Sequence, residues 1–247
     1  MMTNTTQLVA IVTGASRGIG AAIAERLAKD GYAVLINYSR ADDEAEVLVR
    51  KIQQAGGNAL SAKGDISDPA TVAQLFAKAE TAFGGVDILV NNAGIMSLST
   101  IADSDDEHFD RQIAINLKGS FNGMREAAKR LRNGGRIVNF STSVVGLKLE
   151  KYAVYAATKA AVETMTAILA KEMRGRNITV NAVAPGPTAT DLFLNGKSTE
   201  LIEKMAKMAP LERLGTPEDI AAAVSFLVGK DGGWINGQVL RANGGLI

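Results

Sequence analysis

The 247-residue sequence contains no cysteine and a single histidine, His108. The first absence excludes disulfides and thiolate metal ligation, and one histidine cannot furnish a histidine cluster, so no metal is expected. An excess of one charge is also missing: 27 Lys and Arg against 26 Asp and Glu leave a formal net charge of +1. Such a chain has no global field to attract nucleic acid or an anionic bilayer. Met1–Gln7 carries no basic residue and the apolar run Leu8–Val12 is cut off by Thr13-Gly14, which is too short for a signal-peptide core or a membrane span. These absences point to a cytoplasmic protein without nucleic-acid or membrane partners, stabilised by packing alone.

What is present is enough apolar residue, 47% of the chain, to bury one sizeable core. Short apolar runs recur at Leu8–Val12, Ala33–Asn37, Ala59–Lys63, Val86–Val90, Arg136–Phe140, Ile178–Val183 and Gln238–Arg241. Their lack of polar alternation suits strands covered on both faces. Helical-period segments separate them: Gly18–Lys29, Asp42–Gln54, Pro69–Phe83, Asp105–Arg132, Tyr152–Arg174, Thr199–Ala206 and Pro217–Val228. Asp68-Pro69 and Thr216-Pro217 read as N-cap and first helical position, and Gly31, Gly56 and Gly84 as C-terminal glycines. Strands alternating with helices imply right-handed crossovers. The expectation is one α/β domain over residues 1–247: a doubly wound parallel seven-stranded sheet with helices on both faces.

The first strand runs into Thr13-Gly14-Ala15-Ser16-Arg17-Gly18-Ile19-Gly20 and then directly into a helix. Glycines there let the backbone turn sharply and approach a pyrophosphate, which the helix-start amides stabilise. Three residues separate the first two glycines, where the usual dinucleotide fingerprint has one. Thr-Gly-x-x-x-Gly-x-Gly resembles the cofactor signature of the short-chain dehydrogenases/reductases, a family with a Rossmann-type domain, and the resemblance extends over nearly all of the chain.

Several segments carry that resemblance further. Asp65-Ile66 is similar to the pair that holds the adenine, Asn91-Asn92-Ala93-Gly94 to the segment bordering the cofactor, and Pro185-Gly186 with Thr188 and Thr190 to the stretch that fixes the carboxamide. Cofactor choice can be read from the residues themselves. The end of the second strand, where NAD-using folds place an acidic side chain, reads Asn37-Tyr38-Ser39-Arg40. Without a carboxylate there, Arg17 and Arg40 can offer guanidinium donors to a 2′-phosphate, which favours NADP(H); the bland alternative for Arg40 is an exposed loop charge.

Tyr155 and Lys159 stand at i and i+4 on an expected helix, hence on one face. A free tyrosine titrates near 10, so acid/base work at pH 7 asks for about 4 kcal/mol of extra phenolate stabilisation. A lysine cation about 5 Å away, at an effective dielectric near 20, supplies roughly 3 kcal/mol. The family resemblance implies a hydroxyl after the fifth strand that binds the carbonyl oxygen; register selects Thr142, and the Ser-x-x-Gly pattern selects Ser143. It also implies that Asn116 bends its helix and relays a proton towards Lys159. The activity implied is NADP(H)-dependent interconversion of a small-molecule carbonyl and alcohol, with Tyr155 as acid/base, in a 3-oxoacyl-carrier-protein-reductase-like or polyhydroxynaphthalene-reductase-like branch. Homotetramers, and a substrate lid at about 190–210, follow from the same resemblance. A cofactor-binding sensor that keeps the fold without the reaction is the alternative. His108 reads as part of a solvated helix start, Trp234 as packing before the last strand, and Met205 and Met208 as apolar helix packing within a segment, Leu192 to Met208, that borders the substrate.

Overall fold

The computed structural model describes residues 7–247. Its seven strands are β1 (Val9–Val12), β2 (Ala33–Tyr38), β3 (Ala59–Lys63), β4 (Ile88–Asn91), β5 (Arg136–Phe140), β6 (Thr179–Pro185) and β7 (Val239–Ala242). They form one parallel sheet in the order β3-β2-β1-β4-β5-β6-β7. Successive strands run outward from β1 in one direction and then from β4 in the other. The topological switch therefore lies between β1 and β4, where the carboxyl ends of the strands open a crevice.

The period of two along a strand divides the core into two layers. Ala10 and Val12 of β1, with Val34 and Ile36 of β2, face one layer, and Val9, Ile11 and Leu35 face the other. The first layer is closed by α1 (Gly18–Lys29), α2 (Asp42–Gln54) and, at the end of the chain, α10 (Pro217–Val228), through Ile23, Leu27, Leu48, Ile52, Ile220 and Leu227. The second is closed by α3 (Pro69–Phe83), α5 (Ser120–Arg130) and α7 (Ala153–Glu172), through Leu75, Phe76, Met124 and Leu169. The Asp68 side chain accepts from the Ala70 amide ahead of α3, and Gly84 ends that helix at φ 84°. At α10 Thr216 and Asp219 make a reciprocal capping box. Among the described residues no helix is long and apolar enough to cross a membrane.

Three local expectations are revised. The single helix expected over Asp105–Arg132 is three pieces: α4 (Asp106–Gln112), a widened π turn over Ile113–Gly119, and α5. The winding is opened by tertiary partners that periodicity does not register: Asn116 bonds a neighbouring loop, and a Cβ at Gly119 would stand 2.4 Å from Ile66 Cδ1. Two short helices that the pattern did not announce, α6 (Val144–Leu147) and α8 (Asp191–Leu194), follow β5 and β6, and α9 (Thr199–Met208) comes after them. Trp234 is 99% exposed, not packed before β7.

Candidate active site

The site forms at the carboxyl ends of the strands, where each strand-to-helix connection delivers one part. After β1, Gly14 adopts φ 60°, and a Cβ there would stand 2.7 Å from Ala93 Cα; a Cβ on Gly20 would stand 2.5 Å from the Gly14 carbonyl oxygen. Only glycine permits this approach. The Thr13 hydroxyl accepts from the Asn92 and Ala93 amides, both at 3.1 Å, and Asn92 Nδ2 donates back to the Thr13 and Gly14 carbonyls. The turn is thereby locked to the end of β4. α1 begins without any side-chain cap, unlike α3 and α10, so its first amides are available to an anion. Ser16 is partly exposed and Arg17 and Gly18 exposed at this mouth, Ile19 lines the pocket beside it, and Gly20 is buried. A close-packed glycine turn with an uncapped helix start fits the pyrophosphate of a dinucleotide.

At the end of β2 the Tyr38 side chain is buried, and its hydroxyl donates to Asp42 Oδ1 at 3.0 Å. Ser39 and Arg40 are exposed beyond it. Asp42 is a carboxylate close to this corner that the strand-end reading did not weigh. Lys63 Nζ bonds it at 2.7 Å, and that contact, followed by the Tyr38 hydroxyl, holds it below the usual carboxylate range. Neither Arg17 nor Arg40 enters an ion pair among the described residues. Asp65 is exposed and caps its own turn through the Ser67 amide, while Ile66 is buried against Gly119.

α7 presents Tyr155 and Lys159 to the same pocket, which Thr142, Ser143, Asn92, Gly94, Pro185, Gly186, Thr188 and Thr190 also line. Lys159 is 3% exposed, its Nζ donates to the Phe140 carbonyl at 2.9 Å, and it lies 5.9 Å from the centre of the Tyr155 ring. The two hydroxyls after β5 are placed differently. Thr142 faces the Tyr155 phenol and favours its ionised form. Ser143 Oγ is bound by Asn243 Nδ2 at 3.0 Å and lies 3.3 Å from the Ala184 carbonyl. Asn116 is buried behind the pocket wall, where Oδ1 accepts from the Ile95 amide at 2.8 Å and Nδ2 donates to the Ile95 carbonyl at 2.9 Å. Its own carbonyl accepts from the Ser120 hydroxyl at 2.7 Å.

The electrostatics depart from the simple pair argument. Burial pushes the Tyr155 phenol up to about 12, with Thr142 opposing the rise and Tyr152 adding to it. Burial also brings Lys159 down to about 8. Desolvation dominates both groups because the pair sits in a largely apolar pocket, where each charged form loses its hydration. The protein alone therefore keeps Tyr155 protonated at neutral pH, the form that can donate.

Sequence reasoning missed much of the pocket wall: Ile95, Met96, Phe140, Val144, Leu147, Leu149 and Tyr152 line it, with Leu192, Phe193 and Met205 from the segment expected to border it. No local signal marks an apolar side chain as a wall rather than core. His108 is not simply solvated. Its backbone amide donates to Asp105 Oδ1, as a helix start requires, but its ring is partly buried between Ser97 and Gln112.

The chain is similar to known proteins along nearly its whole length. A family model described as enoyl-(acyl carrier protein) reductase matches residues 14–247. A short-chain type dehydrogenase/reductase of Picea abies is 49% identical, covering 97% of this chain and 92% of that protein. The NADPH-dependent aldehyde reductase 2, chloroplastic, of Arabidopsis thaliana is 48% identical over 97% of this chain and 93% of its own length. A short-chain dehydrogenase from Burkholderia cenocepacia, solved in complex with NADP, superposes with a TM-score of 0.92 at 37% identity, covering 98% of this chain and 99% of that one. The chain belongs to the short-chain dehydrogenase/reductase family.

Proposed function

We propose that this chain is an NADP(H)-dependent reductase of an uncharged, mainly apolar ketone or aldehyde, with Tyr155 as proton donor. One observation carries the reading: a phenol, a hydroxyl and a buried ammonium converge in a pocket whose remaining walls are largely apolar and in which Lys159 is the one charged lining residue. A substrate carboxylate would find no arginine there, whereas a carbonyl oxygen would find two hydroxyl groups. The NADPH-dependent aldehyde reductases of Arabidopsis and the NADP complex from Burkholderia support the cofactor, as do Arg17 and Arg40, both exposed and free of ion pairs among the described residues.

Gly14, Ser16, Gly18, Ile19 and Gly20 would hold the pyrophosphate, Arg17, Ser39 and Arg40 the 2′-phosphate beside Tyr38, and Asp65 and Ile66 the adenine. Asn92, Ala93, Gly94, Pro185, Gly186, Thr188 and Thr190 would border the nicotinamide end. When bound, the nicotinamide supplies the hydride. Tyr155 gives its proton to the carbonyl oxygen as charge develops there, and Thr142 donates a hydrogen bond to the same oxygen. Lys159, charged below about pH 8, favours loss of the phenol proton, and Asn116 keeps the Ile95 wall in place.

The reading extends to assembly as a homotetramer through α4–α5, α7 and the C-terminal strand, supported by the exposed Phe109, Phe121, Ile168 and Trp234; a monomer by light scattering overturns that part. The deciding experiment follows NADPH oxidation with a panel of apolar ketones and aldehydes, comparing wild type with Tyr155→Phe. Turnover that falls at least about a hundredfold in the variant is expected. Cofactor binding without turnover of any substrate would favour a sensor.

A further inference from the structure

His108, Gln112 and Asn116 stand at i, i+4 and i+8 along α4 and the widened turn, and all three bond one short strap of chain that leaves β4. Asn116 takes both the amide and the carbonyl of Ile95, at 2.8 and 2.9 Å. Gln112, fully buried, accepts from the Ser97 amide through Oε1 at 3.4 Å. His108 Nε2 lies 3.0 Å from the Ser97 carbonyl oxygen and 3.1 Å from Gln112 Nε2. As N–H that ring nitrogen donates to Ser97; as a bare nitrogen it accepts from Gln112. Either tautomer ties His108 into the ladder, and its other nitrogen, Nδ1, is buried without a partner.

Beyond the ladder, the next backbone tie along the chain is the Ser99 amide donating to the Lys151 carbonyl at 3.1 Å. Ile95 and Met96 line the carbonyl pocket on one side, and on the other they line a second hollow together with Ser97, His108 and Gln112. Neither Ile95 nor Met96 belongs to the two core layers. A segment with cavities on both sides lacks the close packing that normally fixes a chain in depth, so its position is set by the side-chain ladder. Asn116 anchors the Ile95 end, and the Ser97 end depends on Gln112 and His108.

We propose that His108 is a positioning residue for the substrate: with Gln112 it sets how far the Ile95–Met96 wall stands into the carbonyl pocket, without touching substrate or cofactor. The effect on catalysis rests on the reductase reading above; the clamp itself does not. Two measurements on the full-length protein separate them. Amide hydrogen exchange without substrate should show residues 95–97 exchanging at least about tenfold faster in His108→Ala, with Tyr155–Lys159 unchanged. For a carbonyl that wild type reduces, KM should rise about tenfold in the same variant, with kcat within about twofold and NADPH affinity unaltered. His108→Gln, whose amide reaches where Nε2 stands, should restore both. Unaltered exchange at 95–97, a loss confined to kcat, or a His108→Gln no better than His108→Ala would each overturn the proposal. A chain that reduces no carbonyl sinks the reductase reading and leaves the exchange result to decide the clamp.

Discussion

Asn243 Nδ2 donates to Ser143 Oγ at 3.0 Å across a hundred positions of sequence, tying the connection after β7 to the one after β5. The Ser143 hydroxyl in turn donates to the Ala184 carbonyl at 3.3 Å, which commits its proton, whereas Thr142 faces the phenol of Tyr155. The two candidates for the carbonyl-binding hydroxyl are therefore separable by experiment. Thr142→Val should lower kcat by about a hundredfold, in the range of a lost oxyanion donor. Ser143→Ala should cost about tenfold or less in rate and register mainly as a lower melting temperature, about 1 kcal/mol for a buried hydrogen bond. Equal losses of kcat in both variants would return the assignment to Ser143 as much as Thr142.

The pH profile follows from two desolvated groups. Tyr155 keeps its proton up to about 12 and Lys159 up to about 8. The kcat/KM for reduction should be level between about pH 6 and 7 and should fall through an apparent pKa near 8, as the ammonium is lost while the phenol is not. A profile flat to pH 10 would remove Lys159 from the proposed role.

Lys159 also makes a stability prediction of opposite character. Its native pKa lies below the ordinary value, so between about 8 and 10.5 the unfolded chain binds more protons and stability rises with pH. At pH 7 the buried charge is a cost. Lys159→Met should stabilise the fold by on the order of 1 kcal/mol, after the lost bond to the Phe140 carbonyl is set against the relieved desolvation. Urea midpoints at pH 7 and pH 10 test this: the advantage should shrink at the higher pH, and a variant less stable at pH 7 contradicts it.

For the cofactor, Arg17→Glu and Arg40→Glu should each raise the KM for NADPH by about tenfold or more and move that for NADH much less, because a guanidinium is replaced by a charge that repels a phosphate. Parallel losses with both cofactors would show that these residues do not distinguish them. The Asp42 carboxylate enters here as well. With Lys63 removed (Lys63→Met), it loses its cation and should weaken NADPH binding severalfold.

The sheet could be read from the sequence because its five inner strands are buried on both faces, and buried parallel strands are continuous apolar runs. The ranges of α1, α2, α3 and α10 were equally legible, those of α3 and α10 because Pro69, Gly84 and Pro217 punctuate the chain there. The turn over Ile113–Gly119 was not, because its winding depends on Ile95, Ile66 and Ser120, which lie elsewhere in the chain or bond by side chain. The spacing of Tyr155 and Lys159 revealed their shared face, whereas the direction of their titration depends on apolar neighbours such as Leu147 and Leu149 whose proximity no local pattern records. The same holds for the ring of His108, whose partner Ser97 lies eleven positions back.

The loosened coil around Asn116 means that this part of the chain holds more residues than tight winding would need to span the same rise. Removing one position between 113 and 119 would let the backbone close into regular spacing and so relieve the fold locally, while turning Asn116 away from Ile95. On the proposed role of Asn116, robustness and competence pull in opposite directions at that spot.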